Sequence, residues 1–230
     1  MRRRQGPHPR AHRGLFPLLV HLGAWMPLAV LVYDYLNNRL TVNPIQEAEI
    51  RAGDTALILL VLSLACTPLF TLLRFQQLIR ARRTLGLYGY MYAAIHVTIF
   101  MALDYGLDPG LIWQVIREKP FIIVGATSFI ALSLLAATSF DWWKARLRKN
   151  WKRLHRLVYA INLLVVLHFG WAVKGDFFNL RGDILRPLAA GVIIVLLLVL
   201  RLPAVRRFIA RRRSPRDAAV QAALDQKAAR

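Results

Sequence analysis

The chain has 230 residues, 57% of them hydrophobic, and carries 32 Lys+Arg against 12 Asp+Glu for a formal net charge of +20. A soluble core is not usually this basic, and a nucleic-acid binder is not usually this apolar. The two properties coexist when greasy spans alternate with charged flanks, and the same figures exclude collagen-like, disordered and disulfide-framework classes. The one cysteine, Cys66, lies in an apolar run and forms no internal disulfide.

A bilayer core of roughly 30 Å is crossed by about 20 apolar helical residues. Spans of that kind are predicted at Leu15–Leu36, Asp54–Arg74, Leu87–Tyr105, Pro120–Phe140, His155–Val173 and Pro187–Leu202. The expected fold is therefore an all-α integral membrane protein, a six-transmembrane-helix bundle. Basic tails at 1–14 and 204–230 flank a membrane domain at 15–203. Pro17, Pro120 and Pro187 sit in first turns, where a missing N–H costs little. Pro27 and Pro68 fall deeper and are expected to kink their helices. The first span is too long for a signal-peptide core and lacks a small-x-small cleavage site, so it is read as permanent.

Charge orients the bundle. The two tails and the connections after the second and fourth spans hold about 25 of the Lys/Arg residues, and the other three connections hold about 7. Glu47, Glu49, Asp104, Asp108, Glu118, Asp176 and Asp183 fall on the opposite side. Both termini are thus expected in the cytoplasm. The charge then reports orientation and attraction to anionic lipid, with no nucleic acid implied. Trp142, Trp143 and Trp151 on one side, with Trp113 and Trp171 on the other, read as interfacial belts.

Ionisable residues within spans are expensive and mark functional candidates. His8 and His12 lie in the tail with Pro9 between them, which argues against a metal pair. His96 lies 13 residues beyond Arg83 and His168 lies 12 beyond Arg156, so both stand about 18–20 Å along their helices. Two histidines at one depth on two helices suit bis-imidazole ligation of a haem iron. Gly89 and Ala93 share the His96 face. They either let a porphyrin approach the backbone or let two helices cross closely. With no Cys-x-x-Cys-His, a haem here is of b type.

His155 shares a stripe with Tyr159 and Asn162, level with Arg82 and Arg83 on the third span. That group suits a flavin phosphate, a haem propionate or a quinone headgroup, or else simple interfacial packing. His21 has no depth partner and reads as a core histidine hydrogen-bonded to a neighbouring helix. Cys66 reads as a small packing residue. No Ser/His/Asp or paired-carboxylate constellation supports hydrolysis.

Arg82-Arg83-x-x-Gly86-Leu87 followed by His96, then Trp151-x-x-Leu154-His155-x-x-x-Tyr159 with His168, resembles the MsrQ (YedZ) family. Gly53-Asp54-Thr55-Ala56-Leu57 and Thr67-Pro68 fit as well, and the likeness runs from about Asn43 to Lys174. The family belongs to the ferric-reductase-like transmembrane superfamily. The resemblance implies a bacterial inner-membrane electron-transfer subunit carrying haem b, with FMN also associated. Such a subunit passes electrons from the quinone pool, or a cytoplasmic flavin reductase, to a periplasmic molybdopterin-containing methionine-sulfoxide reductase. His96 and His168 match the family's axial ligands. Arg82 and Arg83 stand where two-haem members of the superfamily carry a further histidine, which favours a flavin or quinone site on the cytoplasmic side.

Only about 28 residues follow the sixth span, so no large nicotinamide domain is expected and the reductant arrives separately. The outward segments 37–53 and 174–186, with Lys174, Asp176, Arg181 and Asp183, are the expected docking surface for an acceptor. Two other readings remain at this point: a stand-alone haem-dependent metal or quinone reductase, and a haem-free transporter or assembly factor.

Overall fold

The structure is a computed structural model and describes residues 14–173, 184–202 and 204–205. The tail histidines His8 and His12, most of the basic tails, and Lys174, Asp176, Arg181 and Asp183 lie outside the described residues. Among the described residues the regular elements are helical. They are α1 (Leu15–Leu36), α2 (Pro44–Leu73), α3 (Gln76–Thr98), α4 (Pro109–Glu118), α5 (Phe121–Ala137), α6 (Asp141–Leu154), α7 (Leu157–Ala172) and α8 (Leu185–Val199).

α1 coincides with the first predicted span and buries only Ala24 and Leu31. Its remaining apolar surface, including Leu18, Leu22 and Met26, is exposed as a lipid-facing surface would be. The helix continues through Pro27, beside which Tyr92 of α3 intervenes. The Tyr92 hydroxyl donates to the Ala24 carbonyl at 2.7 Å and accepts from the Leu28 N–H at 3.0 Å. Those two groups are four residues apart, so they form a rung of the α1 ladder. A buried hydroxyl at that rung keeps both satisfied next to the proline.

α2 begins ten residues before the predicted span. Asn43 caps it, its side chain accepting from the Gln46 N–H at 3.2 Å, and Pro44 stands where no N–H is required. These extra turns carry Glu47 and Arg51. The Arg51 guanidinium reaches Asp34 of α1 at 2.6 Å and Glu47 at 2.5 Å, tying the ends of α1 and α2 together. α2 is the hub of the interior. It supplies Ala56 and Leu59 to a cluster with Ala24 and Tyr92, and Leu57 and Leu64 to another with Ile194 and Leu197. Its Leu60 joins Leu132, Leu135 and Ile161 in a third.

Arg74 adopts the left-handed conformation (φ 55°) and ends α2, so two residues suffice to turn the chain into α3. The sequence reading of a basic loop before Leu87 is therefore corrected. Arg80, Arg82 and Arg83 ride on the first turns of a helix that starts at Gln76. Beyond His96 the helix widens into a π-helical segment, Ile99–Asp104.

Two further helices stand where connections were expected. α4 forms because Asp108 caps it, accepting from the Gly110 and Leu111 N–H groups, with Pro109 at its start. It is bent 113° from α5. α6 occupies the expected basic connection before His155. Its ladder is interrupted at Arg148 (φ 45°, ψ −116°), none of its residues is buried, and it bends 53° from α7. His155 and Arg156 form that bend, so α7 starts at Leu157 and His155 precedes the span it was expected to open.

Among the described residues three helices are long and apolar enough to cross a membrane, and the count rises to five if each bent pair is one span. α8 is a shorter apolar helix of 15 residues. The protein is an all-helical, multi-pass integral membrane protein.

A paired-histidine site and a basic inner cluster

α3 and α7 carry His96 and His168 to the same place. Their ring centroids are 6.3 Å apart and their planes stand at 81°. Each imidazole is held in one way. His96 Nδ1 donates to the Glu49 carbonyl at 2.9 Å, and His168 Nδ1 donates to the Phe121 carbonyl at 2.8 Å. In both cases the carbonyl lies 47 residues upstream. A glycine follows each carbonyl by four residues and lies under the ring. A Cβ on Gly53 would stand 3.1 Å from His96 Nδ1, and one on Gly125 would stand 2.7 Å from His168 Nδ1 and Cε1. The two cradles, one on α2 and one on α5, thus repeat the same local design.

This arrangement has the chemistry of a two-ligand metal site. A backbone carbonyl on Nδ1 fixes the tautomer and leaves the Nε2 lone pair available to a metal, the usual outer-shell device of a metal-binding histidine. Metal–imidazole bonds are about 2 Å long, so two such ligands on opposite sides of one metal bring their ring centroids to roughly 6 Å. The observed separation meets that requirement. Among the described residues no group of three or more His, Cys, Asp and Glu gathers to hold a bare ion. Two ligands alone suit a metal whose other positions are filled by a macrocycle.

The two small residues expected to face that macrocycle are corrected. A Cβ on Gly89 would meet Leu60 Cγ and Cδ2 of α2 at 3.0 Å, and Ala93 packs in the clusters around Ala56 and Leu60. They serve the close crossing of α2 and α3. Gly53 and Gly125 are the small residues at the paired histidines.

The residues expected at the other end separate into two groups. The His155 ring stacks on Trp151 with centroids 4.2 Å apart, and its Nε2 lies 3.2 Å from Thr138 Oγ1. Trp151 in turn donates Nε1–H to the Thr138 carbonyl at 2.8 Å, which anchors it between α5 and α6. Tyr159 faces elsewhere, its hydroxyl accepting from Arg201 at 3.0 Å. Asn162 is fully buried and donates to the Val158 carbonyl. The expected His155–Tyr159–Asn162 stripe is thus divided, because the bend at His155–Arg156 turns His155 off the α7 face. Arg82 is half-buried near Thr67, whereas Arg83 is exposed over the Phe140 ring. His21, read as bonded to a neighbouring helix, meets Tyr88 Oη at 2.8 Å, although it is exposed and not in the core.

Residues 52–166 match the family model of the ferric reductase like transmembrane component. A Bordetella pertussis protein is 38% identical over 195 residues, covering 85% of this chain and 92% of its own length. A Xanthomonas euvesicatoria pv. vesicatoria protein is 40% identical over 205 residues, covering 86% and 91%. One from Xanthomonas campestris pv. campestris is 42% identical over 163 residues, covering 68% and 75%. Each carries the name protein-methionine-sulfoxide reductase heme-binding subunit MsrQ. The chain belongs to the MsrQ family.

Three residues of this MsrQ-family chain escaped the sequence reading. Gly53 and Gly125 were not singled out as ring cradles. Arg201, which falls inside the predicted span Pro187–Leu202 and just beyond α8, was not singled out. It enters the bundle, donating to Tyr159 Oη and to the Leu64 carbonyl. Leu64 lies four residues before Pro68, whose missing N–H leaves that carbonyl without its helical partner.

Proposed function

We propose that the protein is an electron-transfer subunit of the bacterial inner membrane, holding one haem b between His96 and His168. It spans the bilayer six times with both termini in the cytoplasm. Electrons enter from the quinone pool or a cytoplasmic flavin reductase. They leave to a periplasmic molybdopterin-containing methionine-sulfoxide reductase; of this partner the relatives' names carry only the words protein-methionine-sulfoxide reductase.

The observation that carries this reading is the pair of imidazoles at 6.3 Å, each tied to a carbonyl through Nδ1. The bound haem supplies a one-electron iron couple. The chain's own residues do the rest. The Glu49 and Phe121 carbonyls orient the ligands, and Gly53 and Gly125 make room for the rings.

Charge supports the orientation. Arg80, Arg82 and Arg83 at the start of α3, the cations of α6, and Arg201 beyond α8 belong to the basic end. Glu49 stands within electrostatic reach of Asp104 and Lys119 at the other. FMN, or a quinone headgroup, is assigned to the basic end. Of the expected set, Arg82 and Tyr159 approach one another through Arg201, while His155 and Arg83 lie to the side of Phe140 and Thr138.

Haem-loaded protein in liposomes tests the direction of flow. Haem reduced from the cytoplasmic side, by quinol or by a flavin reductase with its reductant, is expected to be reoxidised by the purified periplasmic partner when methionine sulfoxide is present. Reoxidation by a ferric chelate as fast as by the partner would instead indicate a stand-alone reductase.

A further inference from the structure

We propose that the periplasmic acceptor docks at the corner between α4 and α5, on a rim formed by Glu49, Asp104, Glu118 and Lys119. The inference rests on the electron-transfer reading above and names the surface through which it works. The paired histidines lie toward the end of the bundle opposite the basic one. His168 is 11 residues from the start of α7 and four from its end, about 16 Å and 6 Å of helix. His96 is 20 residues from the start of α3 and eight from Asp104, the last residue of its π-helical continuation, about 30 Å and 12 Å.

The carbonyls that hold the two rings lie at the same end. Phe121, the first residue of α5, bonds His168 at 2.8 Å and follows Lys119 by two residues. The 113° bend between α4 and α5 therefore stands beside that ring. On the other helix pair, the Glu49 carboxylate is 4.0 Å from His96 Nε2, and its side chain is still 19% exposed. One side chain separates the paired site from the surface here. α4 supplies the platform beside it: Val115 is its one buried residue, and Gln114, Arg117 and Glu118 are exposed along one face.

Charge selects the partner. The chain is strongly basic as a whole, yet at this rim Glu49, Asp104 and Glu118 outnumber Lys119. Glu118 accepts only from Gln114, at 2.9 Å, while Arg117 is drawn over the Trp113 ring. Asp104, Glu118 and Lys119 form no ion pair among the described residues. Such a rim fits a soluble redox protein that presents Lys and Arg around the opening to its own cofactor. Complementary fields of this kind raise association rates by roughly 10- to 1,000-fold and fade as salt is added. The same rim repels an anionic ferric chelate, which favours a protein acceptor. Of the segments expected to dock, 37–53 contributes Glu49, whereas the α4–α5 corner was not anticipated.

Charge reversal at Asp104 and Glu118 tests the surface, since both side chains are exposed and neither holds a histidine. The full-length, haem-loaded chain in zwitterionic nanodiscs is compared as wild type and as the Asp104→Lys, Glu118→Lys double variant. The probe is purified periplasmic molybdopterin-containing methionine-sulfoxide reductase. Its equilibrium binding is measured by interferometry, and reoxidation of the reduced haem is followed with methionine sulfoxide present. Wild-type binding is expected to weaken as salt rises, and the double variant to bind about tenfold less tightly at low salt. Its reoxidation slows with it. Haem content, unfolding temperature and reoxidation by dissolved oxygen, which is uncharged, are expected to match wild type. Binding and reoxidation undiminished in the double variant would overturn the docking surface and leave the electron-transfer reading standing. A wild type that reacts with oxygen but neither binds the reductase nor passes electrons to it would overturn both.

Discussion

Gly125→Ala is expected to cost the protein most of its haem. The new Cβ would stand 2.7 Å from two atoms of the His168 ring, nearer than non-bonded carbon and nitrogen atoms approach. The ring must swing away, and with it goes the Nδ1 bond to the Phe121 carbonyl. An axial ligand loosened in this way typically loses 10–100-fold in metal affinity, by analogy with other outer-shell changes. Gly53→Ala meets His96 at 3.1 Å, where a shift of a few tenths of an ångström suffices. It should keep haem but alter the low-spin electron paramagnetic resonance signal, which reports the relative orientation of the two imidazole planes. Gly23→Ala, with nothing within 4 Å of its Cβ, is the control and leaves both readouts unchanged. Haem-to-protein ratio and the resonance spectrum together check the series.

Tyr92→Phe is expected to destabilise the bundle without removing any apolar contact of the ring. The lost hydroxyl serves the Ala24 carbonyl and the Leu28 N–H at once, in a site where Tyr92 is 1% exposed. Each buried backbone group left unsatisfied costs roughly 1–3 kcal/mol. Set against a rung the helix closes again in part, a net loss of about 2–4 kcal/mol is expected. Thermal unfolding in detergent should fall by roughly 5–15 °C, on the scale of domains of this size. Tyr88→Phe is the comparison, since its hydroxyl meets the exposed His21 and its loss should move the transition far less.

Hydropathy revealed what hydropathy governs. α1 was legible to its end residues, because a continuous apolar run between polar flanks has one solution in a bilayer. α4 and α6 were hidden because short amphipathic helices bury little and read as charged connections. Asp108-Pro109 was nevertheless a usable start signal. His96 and His168 could be paired from depth alone, since α3 is a continuous helix from Arg83 to His96 and rise per residue is constant.

Which small residues lie against those rings could not be read in the same way. Gly89 shares the broad His96 face, but that part of the face is filled by Leu60 of the preceding helix. The missed signal was the recurrence of a glycine at one fixed distance before each histidine. Arg201 was missed because a cation at the very end of a predicted span is ordinarily taken to snorkel to the interface. Pro68 was the clue to it, since a proline inside a span leaves a carbonyl that something must satisfy.

The account rests on one haem held by His96 and His168, and a reduced-minus-oxidised absorbance spectrum of the purified protein tests this most directly. Wild type is measured beside His96→Ala, His168→Ala and His155→Ala. A low-spin b-type signal is expected in the wild type, absent from the first two variants. It is expected to persist in His155→Ala, whose imidazole is engaged with Trp151 and Thr138. A signal that survives either of the first two substitutions, or no signal in wild type expressed with ample haem, would contradict it.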